Sequence, residues 1–595
     1  MNARLRKPDT DDETSIELRG RLRRLEGATL GHAHKFIVRR WKNLQEVRRM
    51  AGAWLLAIAA LIVAAFWQTS QVASFYTSDV PAEGTTYTEG VVGVVDNLNP
   101  IFASTPAEKS VARLVFSSLF YQDQRSTPQP ELVDHFTLDG TGKVYAMALR
   151  HDIRWQDGVP LTAKDVAYTF SVIKDADAHS QLYSSWRNIT VEQVDDYTVR
   201  FTLPAPYTPF LNALTVGILP EHMLNKVRPS ELRSHSFSRS PTVGSGPFIF
   251  RDVRTMGGAK NPQSIVRMDA NADFVLGAPK LSHFQLHAYN NRDDLVNAFR
   301  TQEVAAISDE SNEQLEELNT QKNAVRTDSP LFNAVYAFLQ MDSPLLKDPK
   351  VRNALELATD QPALLKQFHN REQPVTGPLL SGQLGYDPAL QQSPTDIESA
   401  KKLLDDAGWK LDQNGKRVNK DGQPLRLQLV TLSSGDFPAV AQTLMNQWAK
   451  IGVSFDSQLV KPDDIQQNVI IPRAYDVLIY ELAIGSDPDV YAYWHSSQAT
   501  DRGFNLSEYK SAQADDALDS ARSRSDAALR IAKYRTFTQR WLADVPAVGL
   551  YRPNLTYIQT KGITSFQARN LGDPIERYGN VRYWSASKAQ MRPTL

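Results

Sequence analysis

Apolar residues recur along this chain with two different periods, which predicts strands and helices in alternation. Residues 425–429 alternate between apolar and polar side chains, as in a strand with one buried face. Apolar residues at every third or fourth position then predict a helix that ends at Gly452, and a second strand follows over residues 453–459. The buried positions are predicted to be Leu425, Leu427 and Leu429 in the strand and Val440, Leu444, Trp448 and Ile451 in the helix. Such a βαβ unit favours a sheet with parallel strands covered by helices.

Residues 145–170 are predicted to form a strand, a tight turn and a capped helix. Asp157 and Gly158 mark the turn, because glycine accepts a positive φ. Thr162 is placed to cap the helix, and Asp165 follows three residues later, as in a capping box. The helix then has one apolar face, formed by Val166, Phe170 and Ile173.

A further amphipathic helix is predicted from Pro394, just inside its start, to Gly408. Proline favours the first turn of a helix, where its missing N–H is not needed, and glycine favours the position after the end. The buried face is predicted to contain Ile397, Ala400, Leu404 and Ala407.

Residues 149–166 also carry a sequence signature. They read LRHDIRWQDGVPLTAKDV and resemble the pattern LR-x-x-x-x-W-x-DG-x-PLTA-x-DV of the peptide/nickel (family 5) extracellular solute-binding proteins, which are the ligand receptors of ABC importers. Further landmarks of that family follow in the expected order. They are residues 194–201 (VDDYTVRF), 206–211 (PYTPFL), 219–224 (LPEHML), 244–248 (GSGPF), 348–355 (DPKVRNAL) and 400–408 (AKKLLDDAG). The resemblance covers residues 88 to 565.

This resemblance implies an α/β fold of the periplasmic-binding-protein type, with two discontinuous lobes, mixed sheets and a hinge that the chain crosses twice. Lobe one is predicted to contain residues 88–335 and 552–595, and lobe two residues 336–551. The crossings are expected near residues 332–338 and 548–553. A ligand is expected in the cleft that the hinge closes.

The segment before the lobes is predicted to anchor the protein in a membrane. Ala51–Trp67 is a run of 17 uncharged residues, at the short end of a membrane-spanning helix. Basic residues crowd its N-terminal side, whereas no lysine or arginine occurs from Gln68 to Glu108. The positive-inside rule therefore predicts one transmembrane helix over residues 50–71, with a basic cytoplasmic tail (1–49) on one side and, on the other, a stalk linker (72–87) and the large extracellular or periplasmic body.

A cleaved signal peptide is the alternative to this signal anchor. About 50 residues precede the apolar run, and Gln71 would stand three positions before a cleavage after Ala73, so both features favour the uncleaved anchor. The tail mixes arginine with apolar residues over 15–49, which fits either amphipathic helices on an anionic leaflet or a solvated basic segment. The chain has no cysteine, so a lipid cannot be attached to an N-terminal cysteine.

Composition and missing motifs argue against other classes of function. Residues 1–50 hold 13 Lys/Arg against 7 Asp/Glu, so the rest of the chain carries a net charge of −7 within a total of −1. This mildly acidic body gives no electrostatic case for binding nucleic acid. No HExxH, GxSxG or Walker motif occurs, so we predict no catalytic residue, no metal site and no cofactor. His283 and His287 lie in an alternating segment and are expected to face solvent.

The resemblance places the ligand site at a loop on the edge of lobe two. In peptide-binding members this loop reads approximately W-x-x-D-x-x-(D/E)-P, and its first Asp binds the α-ammonium group of the ligand. Asp487 and Pro488 keep the end of this pattern, but Ile484 stands where that Asp belongs and Glu481 where the Trp belongs. A desolvated ammonium needs a carboxylate, so either Glu481 or Asp487 replaces the missing Asp, or the ligand has no free amino terminus.

The other candidate ligand-binding residues are aromatic or amide side chains. Tyr480 and Trp494 make the neighbourhood of the loop aromatic, which suits a cleft wall, although packing is an equally good explanation. Asn97 and Asn99 belong to the first loop of lobe one, which faces the cleft in the family. For Glu481 the alternative is a solvent-facing side chain, and for Asp487 it is a simple helix cap.

The sequence thus predicts an extracellular receptor, not an enzyme, that captures an oligopeptide or related solute for an ABC importer by closing two lobes. Its expected partners are the peptide or other small solute, the ABC permease subunits and, through the anchor, membrane lipid. Two alternatives keep the same fold: a membrane-anchored sensor read by the basic tail, and a surface protein that has lost transport ligand binding. Residues 1–50 contain no kinase or DNA-binding motif that would favour the sensor.

Overall fold

The computed structural model describes residues 48–76, 78–81, 84–256, 263–309, 315, 318, 321–369, 371–586 and 588–591. The chain divides into two compact units, one formed by residues up to Val80 and from Ala589 onwards, and one formed by Pro81–Lys588. Nearly all of the predicted cytoplasmic tail, residues 1–47, lies outside the described residues.

The strands are numbered in chain order. They are β1 Ser78–Pro81, β2 Thr86–Val92, β3 Phe120–Gln122, β4 Pro128–Pro130, β5 Val133–Leu138, β6 Val144–Leu149, β7 Thr190–Gln193, β8 Thr198–Thr202, β9 Phe248–Met256, β10 Gln263–Ala270, β11 His283–Tyr289, β12 Ala306–Asp309, β13 Ala324–Pro330, β14 Asn333–Leu339, β15 Gln373–Pro374, β16 Lys410–Leu411, β17 Arg417–Val418, β18 Arg426–Leu432, β19 Ser454–Val460, β20 Val477–Ala483, β21 Ala547–Arg552, β22 Asn554–Thr560 and β23 Lys588–Met591.

The α-helices are numbered in the same way. They are α1 Arg48–Tyr76, α2 Pro106–Val115, α3 Ala163–Ile173, α4 Tyr183–Trp186, α5 Glu221–Leu224, α6 Pro229–Leu232, α7 Ser236–Arg239, α8 Arg292–Arg300, α9 Pro349–Leu357, α10 Gln361–Leu365, α11 Ile397–Asp406, α12 Phe437–Ala449, α13 Pro462–Ile465, α14 Tyr491–Trp494, α15 Ala512–Ser523 and α16 Ala527–Asp544. Among the short 3₁₀ segments, Thr208–Leu214 and Pro574–Tyr583 matter below.

Two mixed sheets organise the large unit. The first has seven strands in the order β13-β22-β12-β2-β11-β10-β9, and its β2 is parallel to both neighbours. The second has six strands in the order β15-β21-β14-β20-β18-β19, in which β18 is parallel to β19 and β20. The four-stranded antiparallel sheet β5-β6-β8-β7 shares a hydrophobic core with the first sheet, while both faces of the second sheet carry cores of their own.

The chain passes between the two large sheets twice, at adjacent points. β13 of the first sheet is followed by β14 of the second, and β21 of the second is followed by β22 of the first. The two crossings are joined because the Leu331 N–H donates to the Pro553 carbonyl at 2.9 Å and the Arg552 guanidinium donates to the Leu331 carbonyl. The α/β two-lobe fold with mixed sheets agrees with the predicted fold class. The lobe boundaries at residues 335 and 552 stay a prediction.

Two of the local predictions are confirmed. β18, α12 and β19 form the βαβ unit with parallel strands, and Gly452 after the helix has φ of +89°. The Thr162 N–H donates to the Asp165 carboxylate at 2.9 Å, so the capping box holds the start of α3. The apolar face of that helix is buried as expected, with Val166, Phe170 and Ile173 fully covered.

Two other expectations were wrong. Pro394 lies before α11, which begins at Ile397, because the Asp396 carboxylate caps it by accepting from the Ser399 N–H at 3.0 Å. His287 is buried, although His283 is exposed. The reason is that β11 lies inside the seven-stranded sheet and is covered on both faces near its end.

The smaller unit contains α1 and the two-stranded sheet of β1 and β23. α1 spans 29 residues and includes the uncharged run that predicted an anchor. In the described part of the chain, however, no helix combines the length and hydropathy that crossing a membrane requires. The transmembrane anchor over residues 50–71 therefore stays a prediction.

Candidate functional site

The loop that follows β20 is attached to the first crossing between the sheets. The backbone N–H groups of Ile484 and Gly485 both donate to the Phe332 carbonyl at 3.0 Å. The Gln383 side chain donates to the Gly485 carbonyl at 2.7 Å, and Gly485 itself adopts φ of +86°. The predicted ligand loop is therefore attached at the hinge, so a movement of the lobes about the crossings would also move the loop.

Glu481, the residue at the family's Trp position, lies near the end of β20 and is half-buried. The Asn333 side-chain amide, at the start of β14, donates to it at 2.6 Å. Burial raises the pKa of the Glu481 carboxyl, and this hydrogen bond opposes the rise only in part. The side-chain oxygen of Asn333, Oδ1, is buried and accepts no hydrogen bond from the described residues. No basic side chain among them pairs with Glu481.

Asp487 is compensated in a way that Glu481 is not. One nitrogen of the Arg530 guanidinium, on α16, reaches both carboxylate oxygens of Asp487 at 2.9 and 3.0 Å. Burial still raises the pKa of the Asp487 carboxyl, and Arg530 opposes that rise. Asp489 has a similar partner in Arg522, at 3.0 Å. The loop thus contains two aspartates, Asp487 and Asp489, that each form an ion pair with an arginine of the protein.

Glu481 and Asp487 lie on opposite faces of the six-stranded sheet. In β20, Ile479 packs into the core on one face and Tyr480 packs on the other. Because side chains alternate along a strand, Glu481 shares the face of Ile479. Arg530, the partner of Asp487, belongs to a helix that packs on the other face. One ammonium group would therefore meet only one of these two carboxylates.

The remaining candidates near the loop are mainly packing residues in this structure. Trp494 is fully buried, and its ring stacks on Phe338 with centroids 5.7 Å apart. Ile484 and Tyr480 are partly buried against the same core. Tyr480 also has a raised pKa because its hydroxyl is partly buried. As ligand contacts these three residues stay predictions.

Asn97 and Asn99 hold the shape of their own loop. The Asn97 amide donates to the Arg233 carbonyl at 3.0 Å, and its side-chain oxygen accepts from the Asn99 N–H at 3.1 Å. The Asn99 amide donates to the Ser238 hydroxyl at 3.1 Å, and its oxygen accepts from the Ile101 N–H at 3.2 Å. Both side chains are buried. Their role as ligand-binding residues stays a prediction.

A cavity of about 670 Å³ lies beside the loop and is bounded by residues from both predicted lobes. Tyr207 and Phe210 contribute from the lobe-one side, and Tyr491, Asp519 and Arg522 contribute from the lobe-two side. Its volume is in the range of pockets that bind small ligands. Among the described residues no group of acidic or histidine side chains is arranged to hold a metal ion.

Sequence reasoning did not single out Asn333, Arg522 or Arg530, which complete this region. Asn333 offered one signal, because it is the polar residue at the start of the apolar run NAVYAFL and therefore falls at a strand end beside the crossing. The two arginines gave no comparable signal. They lie in a segment of mixed charge, and only the tertiary structure brings them to the loop.

Comparison with known proteins agrees with this geometry. Residues 127–504 match the model of the bacterial extracellular solute-binding proteins, family 5 Middle. The oligopeptide-binding protein AppA of Bacillus subtilis is 28% identical over 495 residues, which is 80% of this chain and 87% of AppA.

Two solved structures are similar over most of the chain. NikZ from Campylobacter jejuni in complex with Ni(L-His) has a TM-score of 0.68 at 25% identity, covering 84% of this chain and 99% of NikZ. The Bacillus subtilis AppA structure in complex with a nonapeptide has a TM-score of 0.67 at 24% identity, covering 85% of this chain and 99% of that one. The family model matches more than half of the chain, and the structure has two lobes that the chain crosses twice. The chain therefore belongs to the family 5 extracellular solute-binding proteins, and it is a binding protein, not an enzyme.

Proposed function

We propose that this protein captures an oligopeptide in the cleft between its lobes and presents it to the permease of an ABC importer. The proposal is supported by the family match and by the oligopeptide-binding relative that covers most of the chain. We take residues 88–335 with 552–595 as lobe one and residues 336–551 as lobe two, which close on the ligand about the two crossings.

Glu481 is the residue proposed to bind the amino terminus of the peptide. The observation that carries this assignment is the contrast in partners among the described residues: Asp487 already binds Arg530, whereas Glu481 has only the Asn333 side-chain amide. A ligand ammonium would supply the missing positive charge to Glu481 and a donor to the free Asn333 carbonyl oxygen. Ile484, an apolar residue at the family's Asp position, cannot provide that charge.

The first experiment is native mass spectrometry of the full-length protein purified in mild detergent. Co-purified peptides would establish the ligand class directly. A preparation that never carries or binds peptides, tested with a mixed peptide digest, would contradict the proposal. A metal–histidine complex in place of peptide would point to a ligand like that of NikZ.

The second experiment tests Glu481 by calorimetry with the most abundant peptide in free and N-acetylated forms. We expect the wild type to prefer the free form by about 10- to 100-fold, the usual scale for a charge-assisted hydrogen bond, and Glu481→Gln to lose that preference. Glu398→Gln is the matched control, because this carboxylate is 83% exposed on the same lobe. Equal affinity of the wild type for both forms would rule out the amine-binding role and leave peptide binding intact.

We also propose that α1 holds the receptor at the membrane. The support is the uncharged run over residues 51–67, the basic residues before it and the high exposure of its described apolar side chains, such as Leu56 at 74%. The test is fractionation followed by external protease, which should release a fragment that starts near residues 70–90. Recovery of a soluble mature protein that begins near Ser74 would show cleavage of a signal peptide instead.

A further inference from the structure

One arginine links the two predicted lobes beside the cleft. Arg522, at the end of α15, has its guanidinium over the ring of Tyr491 at 4.1 Å and over the ring of Tyr207 at 5.2 Å. Tyr491 belongs to lobe two, but Tyr207 lies in the PYTPFL segment of lobe one. The imidazole of His495 stacks on Tyr491 at 4.1 Å. Pairwise contacts therefore connect four side chains, three from lobe two and Tyr207 from lobe one.

The position of Arg522 in this stack is fixed by a carboxylate. Its guanidinium donates to Asp489 at 3.0 Å, and the Asp489 side chain is only 10% exposed. A second contact between the lobes lies next to it, where the Thr208 hydroxyl donates to the Arg524 carbonyl at 2.7 Å. The guanidinium is planar, so it can face a ring on each side while its edge binds the carboxylate. A lysine could keep the charge but not this geometry.

We propose that Arg522 is a latch that favours the closed arrangement of the lobes before any ligand arrives. No ligand atom is needed for these contacts, since both rings and the carboxylate belong to the protein. Opening the cleft would separate Tyr207 from Arg522 and break the Thr208 hydrogen bond, while the Arg522–Asp489 pair would remain within lobe two. Ligand affinity depends on the fraction of receptor in the competent state, so the latch would set affinity and release through that fraction.

The test measures the distance between the lobes in the full-length protein without peptide. The chain has no cysteine, so spin labels attach only at Asp195→Cys in lobe one and Ala528→Cys in lobe two, two exposed positions. We expect Arg522→Met and Tyr207→Leu each to raise the ratio of open to closed receptor by about tenfold. The effect of the double variant should be smaller than the sum of the two single effects, because both changes remove the contact between Arg522 and Tyr207.

Arg540→Met is the matched control, since Arg540 pairs with Asp544 of its own helix within lobe two. It should leave the distance distribution unchanged, and Arg522→Lys should resemble Arg522→Met. An unchanged distribution for Arg522→Met with intact thermal stability would overturn the latch. If the receptor also binds peptide as proposed, Arg522→Met should speed peptide release; the distance measurement itself does not depend on that function, so the two can fail separately.

Discussion

Two glutamates, one in each large sheet, differ in how far the protein compensates their charge: Glu89 is fully buried and Glu481 is half-buried. Glu89 in β2 has no exposed surface and binds Arg577 at 2.8 Å, with hydroxyl groups of Tyr578 and Tyr557 at 2.9 and 3.1 Å. Glu481 in β20 accepts from the Asn333 side-chain amide alone in the part of the chain that the structure describes. A buried charge is costly unless it is paired, so the first site is complete within the protein and the second is not. The incomplete one is at the hinge, where a ligand can complete it.

Two half-buried acids fall between these extremes. Asp487 binds one arginine, Arg530, through both of its carboxylate oxygens. Glu576 lies beside Arg569 and accepts from the Gly572 N–H at 2.9 Å, but burial still raises its pKa to about 7. Each can therefore be used to test what distinguishes an acid that serves the fold from one that binds a ligand. The comparison predicts that the difference lies in the partners that offset its charge, and not in burial alone.

The largest effect is expected from removing the partner of Glu89. Arg577→Met leaves a fully buried carboxylate without a counter-charge, so we expect the free energy of unfolding to fall by about 3–5 kcal/mol, measured by urea denaturation. Arg426→Met is the control, because Arg426 and Asp456 are both more than half exposed. Adding Glu89→Gln to Arg577→Met should recover much of the loss. A loss no greater than in the control would contradict the view that Arg577 stabilises the buried charge of Glu89.

The next effect is a pH dependence at Glu576. Its folded pKa is about 7, above the ordinary value of 4.5, so the stability that its protonation provides is present below pH 4.5 and is lost as the pH rises through 7. The charged groups facing it are Arg569 and Asp573. Between pH 5 and pH 8 the wild type should lose about 3 kcal/mol relative to Glu576→Gln. Parallel pH profiles of the two proteins would contradict this.

A smaller loss is expected at Asp487. Asp487→Asn removes the charge that Arg530 binds, and the free energy of unfolding should fall by about 2 kcal/mol. Adding Arg530→Met should restore part of it, since the unpaired guanidinium is then gone. Asp516→Asn serves as the control, because its carboxylate is 76% exposed. If Asp487→Asn weakened the preference for a free amino terminus without destabilising the protein, Asp487 and not Glu481 would be the ligand residue.

Much of the fold could be predicted from the sequence, because its signals are local. The βαβ unit and the capping box depend on periodicity and on residues a few positions apart. The glycines of GSGPF also had a physical reason that only the structure shows: a Cβ on Gly244 would lie 2.2 Å from the Val115 carbonyl oxygen, and one on Gly246 would lie 2.6 Å from the Val115 carbonyl carbon. The error at Pro394 arose because an aspartate cap two residues later competes with proline for the helix start.

The site could be predicted only in part, because its decisive contacts join distant residues. The family pattern pointed to Glu481 and Asp487 together, yet nothing local distinguishes them. The difference comes from Arg530, 43 positions after Asp487, and from Asn333, 148 positions before Glu481. The alternation of β20 places Glu481 on one face of the sheet, and the contact with Arg530 places Asp487 on the other side. The latch depends likewise on Tyr207 and Arg522, which only the tertiary structure brings together.

The smallest effect on stability, and the sharpest test of the comparison, is expected at Glu481. Burial raises its pKa, so the stability linked to its protonation is present below its unfolded pKa and is lost as the pH rises through the folded one. Glu481→Gln removes this dependence, and at pH 8 without peptide the variant should melt at the same temperature as the wild type or slightly higher. With saturating peptide the order should reverse, because an ammonium partner stabilises the ionised carboxylate of the wild type only. Thermal melts at pH 5 and pH 8, with and without peptide, measure both effects. A variant that melts well below the wild type without peptide would mean that Glu481, like Glu89, serves the fold, and the incomplete site would have to be sought elsewhere.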